Sequence, residues 1–163
     1  MDQQEIFKEA LAMQEELTTW RHALHQMPEL SLDLPKTSAF VQTRFAEMDV
    51  PFHTIVNGNG VVAQLGEGEP CLLLRADMDA LPVAETSGVD FASTNGCMHA
   101  CGHDMHTTSL LGAAKLLKAH ESELCGTVKL LFQPGEETFN GAEACIKDGV
   151  LESPHVDAAV ATH

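Results

Sequence analysis

Apolar residues early in the chain recur at alternating steps of four and three, at Ile6, Ala10, Met13, Leu17, Trp20 and Leu24. That spacing lays one apolar stripe along a single long first helix, which stops before Pro28. Pro35, suited to a first helical turn, opens a second helix that turns Phe40, Val41, Phe45 and Met48 inward. Pro51 breaks the helical period, and short β runs follow. Residues 52–56 and 61–65 flank Asn57-Gly58-Asn59-Gly60, a turn sequence that predicts a hairpin. After a second turn at residues 67–70, the unbroken apolar run at residues 71–74 predicts a strand buried on both faces. The helical period returns over residues 105–120, with Leu110, Leu111, Ala114 and Leu117 as the inner face. Gly126 closes the next turn, residues 128–132 predict another buried strand, and residues 142–147 a short helix ended by Gly149. A last buried strand, residues 158–162, runs into His163. Helices alternating with buried strands predict an α/β fold, a three-layer sandwich with a mixed, mainly parallel sheet and a hairpin at one side.

The 163 residues suit one domain with a sizeable core, and 44% hydrophobic content argues against disorder. With 24 acidic residues against 9 basic ones, the net charge of -15 repels a phosphate backbone, which argues against nucleic acid as a partner. No apolar run approaches the thickness of a bilayer, and the acidic start of the chain carries no signal-peptide pattern. Five cysteines, an odd number spread through the chain, argue against a disulfide framework and for a reducing, cytoplasmic setting.

Chemistry concentrates in residues 97–106, where Cys97, His99, Cys101, His103, Asp104 and His106 crowd together. Gly102 lets the backbone curl, so that the Cys101 thiolate and the His103 imidazole can converge on one point. Sulfur and nitrogen donors at such a pinch suit a borderline-soft divalent metal, with zinc the default. Three predicted strands also end in polar groups: Asp77 and Asp79, Glu136 and Glu137, and His163. In parallel sheets ligands collect at the carboxyl ends of strands, so these groups are expected in one crevice with the Cys-Gly-His segment. Each has a plainer reading. Asp77 and Asp79 also suit a turn or helix cap, paired glutamates a solvated loop, and His22 and His25 a solvated or capping role at a helix end. His53, His120 and His155 read as surface.

The segments Trp20-Arg21-His22-Ala23-Leu24-His25, Pro28-Glu29-Leu30-Ser31 and Leu74-Arg75-Ala76-Asp77-Met78-Asp79-Ala80-Leu81-Pro82 resemble the aminoacylase/carboxypeptidase (M20-type) metallopeptidase superfamily. Residues 98–104, Phe132-Gln133-Pro134-Gly135-Glu136-Glu137 and Ala161-Thr162-His163 fit the same pattern in the same order. More narrowly, the chain is similar to the amidohydrolase branch of hippurate hydrolases, auxin-conjugate hydrolases and N-acetyldiaminopimelate deacetylases. The resemblance implies hydrolysis of the amide bond of N-acyl amino acids with two divalent metal ions, zinc or manganese foremost and cobalt or nickel as alternatives. It implies Cys101, His103, Glu137 and His163 as metal ligands, with the Cys101 thiolate bridging. Glu136 becomes the general base and Asp79 a residue behind the site that orients it, while the role of Asp77 stays open. It further implies that residues 1–163 are the amino-terminal part of a catalytic domain, without the inserted dimerisation domain and the carboxy-terminal part through which full-length relatives assemble as homo-oligomers. Two other classes stand beside this one: a non-catalytic metal-binding or assembly module, and a thiol hydrolase using Cys101 as nucleophile.

Overall fold

The computed structural model describes residues 2–163. Helices α1 (Gln3–Ala12), α2 (Gln14–His25) and α3 (Pro35–Glu47) come first, followed by strands β1 (Phe52–Ile55), β2 (Gly60–Glu67) and β3 (Cys71–Asp77). Then come α4 (His103–Ala119), β4 (Gly126–Gln133), α5 (Gly141–Lys147) and β5 (Ala158–Ala161). One five-stranded sheet has the order β1-β2-β4-β3-β5. The predicted hairpin forms, with β1 antiparallel to β2 and β2 antiparallel to β4. β3 lies parallel to both β4 and β5.

Strand alternation sorts side chains to two faces. Val61, Ala63, Leu65, Ala76, Leu130 and Phe132 join Trp20 of α2, Val41 and Phe45 of α3, and Leu110, Leu111 and Ala114 of α4 in one core. Val62, Leu73 and Leu131 face the other way, onto Cys145 of α5 and Val150. The expected three layers follow. Phe45 meets Phe132 edge to face at 5.4 Å between centroids, and each fully buried ring of this kind contributes about 1.5–3 kcal/mol.

Four local expectations are corrected. The single long first helix is two helices, parted at Met13, where ψ relaxes to 0°. No residue of α1 is fully buried, so tertiary packing does not hold the stripe continuous. Residues 71–74 are not covered on both faces, because Leu72 and Leu74 stay half-buried. Helix α4 begins at His103, two residues before the apolar period does. The last strand is not buried. β5 exposes all four of its residues and pairs, among the described residues, with β3 alone.

The register matters most for chemistry. Asp77 at the end of β3 lies opposite Gln133 at the end of β4, and Arg75 opposite Ala161 at the end of β5. The three parallel strands therefore release their next residues on the same side of the sheet.

Candidate metal centre

The loop after β4 carries Glu136 and Glu137, and a buried carboxylate holds it in place. Asp79 Oδ1 accepts the Glu136 amide at 2.8 Å and Oδ2 the Glu137 amide at 3.1 Å. Asp79 is completely buried, which makes these charge-assisted bonds a firm anchor. Asp79 is thus neither a solvated turn residue nor a helix cap. Its carbonyl accepts a bond from His103 Nδ1 at 2.7 Å. A carbonyl only accepts, so Nδ1 carries a hydrogen and Nε2 is the ring nitrogen that faces the crevice.

His103 opens α4 directly after Gly102, whose φ of 81° is left-handed. That turn brings Cys101 back beside His103. Cys101, His103 and Glu137 each offer a donor atom, and the three lie within 4.8 Å of one another. Asp77, His103, Glu136 and His163 form a second group within the same limit. His103 belongs to both. Its Nε2 lies 3.8 Å from Glu137 Oε1, 3.7 Å from Glu136 Oε2 and 3.6 Å from Asp77 Oδ2. His163 Nε2 lies 3.8 Å from both Asp77 Oδ2 and Glu136 Oε1, on a side chain that remains 56% exposed. The six residues of these two groups thus meet at the carboxyl ends of the three parallel strands, with Asp79 behind them. His163 sits with Asp77 and Glu136 rather than with Cys101 and Glu137.

The donor set fits a cation by a local test. His103 Nε2 and Glu137 Oε1 are buried and make no hydrogen bond. Buried polar atoms are normally paired, and the 3.8 Å between these two is too long for a hydrogen bond. The charges agree. Burial pulls the His103 pKa down, but Asp79 and Asp77 outweigh it and hold the ring above its usual value. A bond to the Glu137 carboxylate, with burial and the charges of Glu137, Glu136 and Asp77, pushes the Cys101 thiol up to about 11. This surplus of negative charge is what a divalent ion neutralises.

The other residues of the dense stretch do not join these groups. His106 Nδ1 bonds Asp77 Oδ1 at 2.7 Å, while Arg75 Nη1 donates to Asp77 Oδ2 at 2.8 Å. Both oxygens of Asp77 are thus already engaged. Cys97 is half-buried. His99 is buried with neither ring nitrogen paired, and its desolvation lowers its pKa to about 4. Asp104 turns away, accepting Arg21 Nε at 2.9 Å and His25 Nδ1 at 2.8 Å. The reading of His25 as solvated or capping is corrected. It is buried, and its Nε2 lies 3.0 Å from Glu85 Oε1. One signal was available: Arg21 and His25 lie one helical turn apart, on one face. His22 stacks on Phe91 at 3.7 Å, and His120 bonds Glu9 and Glu123, whereas His53 and His155 are exposed.

The chain matches the model of peptidase family M20/M25/M40 over residues 73–163. It is 44% identical over 154 residues to the N-acetyl-L-cysteine deacetylase of Bacillus subtilis, covering 93% of this chain and 36% of that protein. It is 47% identical over 150 residues to IAA-amino acid hydrolase ILR1-like 5 of Arabidopsis thaliana, covering 88% of this chain and 34% of that one. Among solved structures, the YXEP protein of Bacillus subtilis, a dinuclear metal-binding peptidase from the M20 family, superposes with a TM-score of 0.88 at 38% identity. That superposition covers 93% of this chain and 43% of the other. The chain therefore spans well under half the length of these relatives. Because the matched span runs through the three strand ends and the helix start that carry every donor, the chain belongs to peptidase family M20/M25/M40.

Proposed function

We propose that this chain carries the metal centre of a hydrolase that cleaves the amide bond of N-acyl amino acids, N-acetyl or hippurate-like substrates among them. One observation supports it above the others: two donor groups share His103, whose Nε2 is buried without a partner. In this reading Cys101, His103, Glu137 and His163 would hold two divalent ions, zinc or manganese before cobalt or nickel. Ions bound there would supply Lewis-acid chemistry, polarising an acyl carbonyl and lowering the pKa of water toward neutral pH. Glu136 is the general base: its carboxylate takes the proton of the attacking water and hands it to the leaving amine. Asp79 positions that base by holding the amides of Glu136 and Glu137. Asp77, bonded by His106 and Arg75, steadies the His106 ring beside the pocket. Residues 1–163 form the amino-terminal part of the catalytic domain, and the proposal includes a cytoplasmic setting in which the thiol stays reduced.

Names of similar proteins support the substrate class, since an N-acetyl-L-cysteine deacetylase and an IAA-amino acid hydrolase both release an amino acid from an N-acyl conjugate. The thiol-nucleophile alternative is weaker, because the neighbouring carboxylates oppose thiolate formation until a cation is present. The test combines metal analysis with an N-acetyl amino acid and hippurate assay. Chelator is expected to abolish turnover and Zn²⁺ or Mn²⁺ to restore it. Glu136→Gln is expected to keep the metal and lose at least about a hundredfold in kcat. Turnover that survives chelator but not alkylation of Cys101 returns the thiol mechanism, and bound metal without turnover leaves a metal-binding module.

A further inference from the structure

Behind the metal-ligating turn lies a buried network that neither donor group uses. Residues 82–97 make an excursion without helix or strand, pinched at its base where Leu81 and Met98 exchange backbone bonds at 3.0 Å. Inside it, Glu85 is tied by Ser87 Oγ at 2.5 Å and the Ser93 amide at 2.6 Å. The Glu85 and Asp104 carboxylates are fully buried, and the His25 ring between them is 5% exposed. One ring nitrogen faces each carboxylate. The ring therefore bridges the two acidic side chains, Nδ1 at 2.8 Å from Asp104 and Nε2 at 3.0 Å from Glu85. Arg21 reaches the same Asp104 oxygen from a side chain one-third exposed, which leaves His25 as the buried half of the grip.

Asp104 directly follows His103 in the first turn of α4. Successive helical residues point about 100° apart, so His103 faces the donors while Asp104 faces α2. Gly102 provides no side-chain cap. The angle of that turn is therefore held from two sides, by His103 on the Asp79 carbonyl and by Asp104 on α2. We propose that His25 is a positioning residue for the metal donors: through Asp104 it fixes the rotation of the Cys101-Gly102-His103 turn, and through Glu85 it seats the 82–97 excursion on the same ring. This rests on the reading of Cys101, His103 and Glu137 as metal ligands.

Two substitutions separate the arms. His25→Asn keeps a donor where Nδ1 was, toward Asp104. His25→Gln keeps one where Nε2 was, toward Glu85. Zinc affinity of the 163-residue chain is measured by competition with a chromophoric chelator, alongside the urea midpoint. His25→Gln is expected to weaken zinc binding at least about tenfold, as loss of groups supporting a ligand does, and His25→Asn to stay within about threefold of wild type. The two are expected to unfold at similar urea concentrations. Equal zinc affinity in both variants, or losses that simply track the urea midpoint, overturns the proposal. A wild-type chain that binds no zinc refutes the metal reading instead. Positioning is then judged on the metal-free chain by ¹⁵N NMR of the His103 ring. A single Nδ1–H tautomer in wild type and His25→Asn that becomes averaged in His25→Gln supports it, and an unchanged ring in His25→Gln refutes it.

Discussion

Gly102 shows how much of the centre turns on one backbone angle. At φ 81° a Cβ would meet nothing within 4 Å, so an added side chain is penalised by conformation alone and not by crowding. Gly102→Ala is expected to cost about 1–2 kcal/mol in urea unfolding. Gly102→Asn is expected to cost less than half of that, because Asn tolerates the left-handed region and caps helices. Equal losses would assign the effect to the added atoms. Residues like this were legible because their chemistry is local: Cys101 and His103 flank one glycine, and Glu136 and Glu137 follow an apolar strand through a Pro-Gly turn. His25 was not. Its acceptor Asp104 is 79 residues away, and a histidine near a helix end satisfies a local rule whether it meets water or a buried carboxylate. The identity of Asp79 as the anchor of the Glu136–Glu137 loop was hidden for the same reason, since its two amide partners lie 57 and 58 residues on.

Among the elements, strands β2, β3 and β4 and helices α3 and α4 follow from period and punctuation, because each has a face that the core demands. Helix α1 does not. Its residues continue the stripe of α2, yet none is fully buried, and periodicity alone does not say whether a face finds a partner. What ties α1 to the end of α4 includes an ionic contact: His120 Nε2 meets Glu9 at 2.9 Å, while Nδ1 meets Glu123 at 2.8 Å. Bonds to Glu123 and then Glu9 raise the His120 pKa above its usual 6.5. A raised folded value means the stabilisation is complete below about pH 6.5 and is lost as pH climbs through the higher folded value. The α1 amides around Glu9 are therefore expected to shift in NMR spectra with a midpoint above 6.5, in step with the His120 ring. In His120→Gln the same amides should stay flat across that window. If they titrate unchanged, His120 does not hold α1.

At the scale of the whole molecule, the layered sandwich was legible in the order of elements, and the open edge was not, since the apolar run of β5 reads alike whether or not another strand covers it. β5 presents Val160 at 52% exposure, and Leu73, Leu131, Cys145, Ile146 and Val160 help line a groove of about 330 Å³ beside it. An unpaired strand edge next to apolar surface is a template for another strand, while a net charge of -15 pushes copies of the chain apart. Salt decides between them, because at 1 M the screening length falls to about 3 Å and the repulsion is spent. The 163-residue chain is accordingly expected to associate more strongly in sedimentation experiments as salt rises. Val160→Lys separates the causes. It makes the net charge less negative, so a charge-governed chain would associate more readily at low salt. A lysine on an exposed edge also blocks strand addition, so an edge-governed chain would stay monomeric at high salt. The apolar edge is expected to dominate once charge is screened, and Val160→Lys should remove the high-salt association while leaving zinc binding intact. Undiminished association in that variant would move the contact off β5.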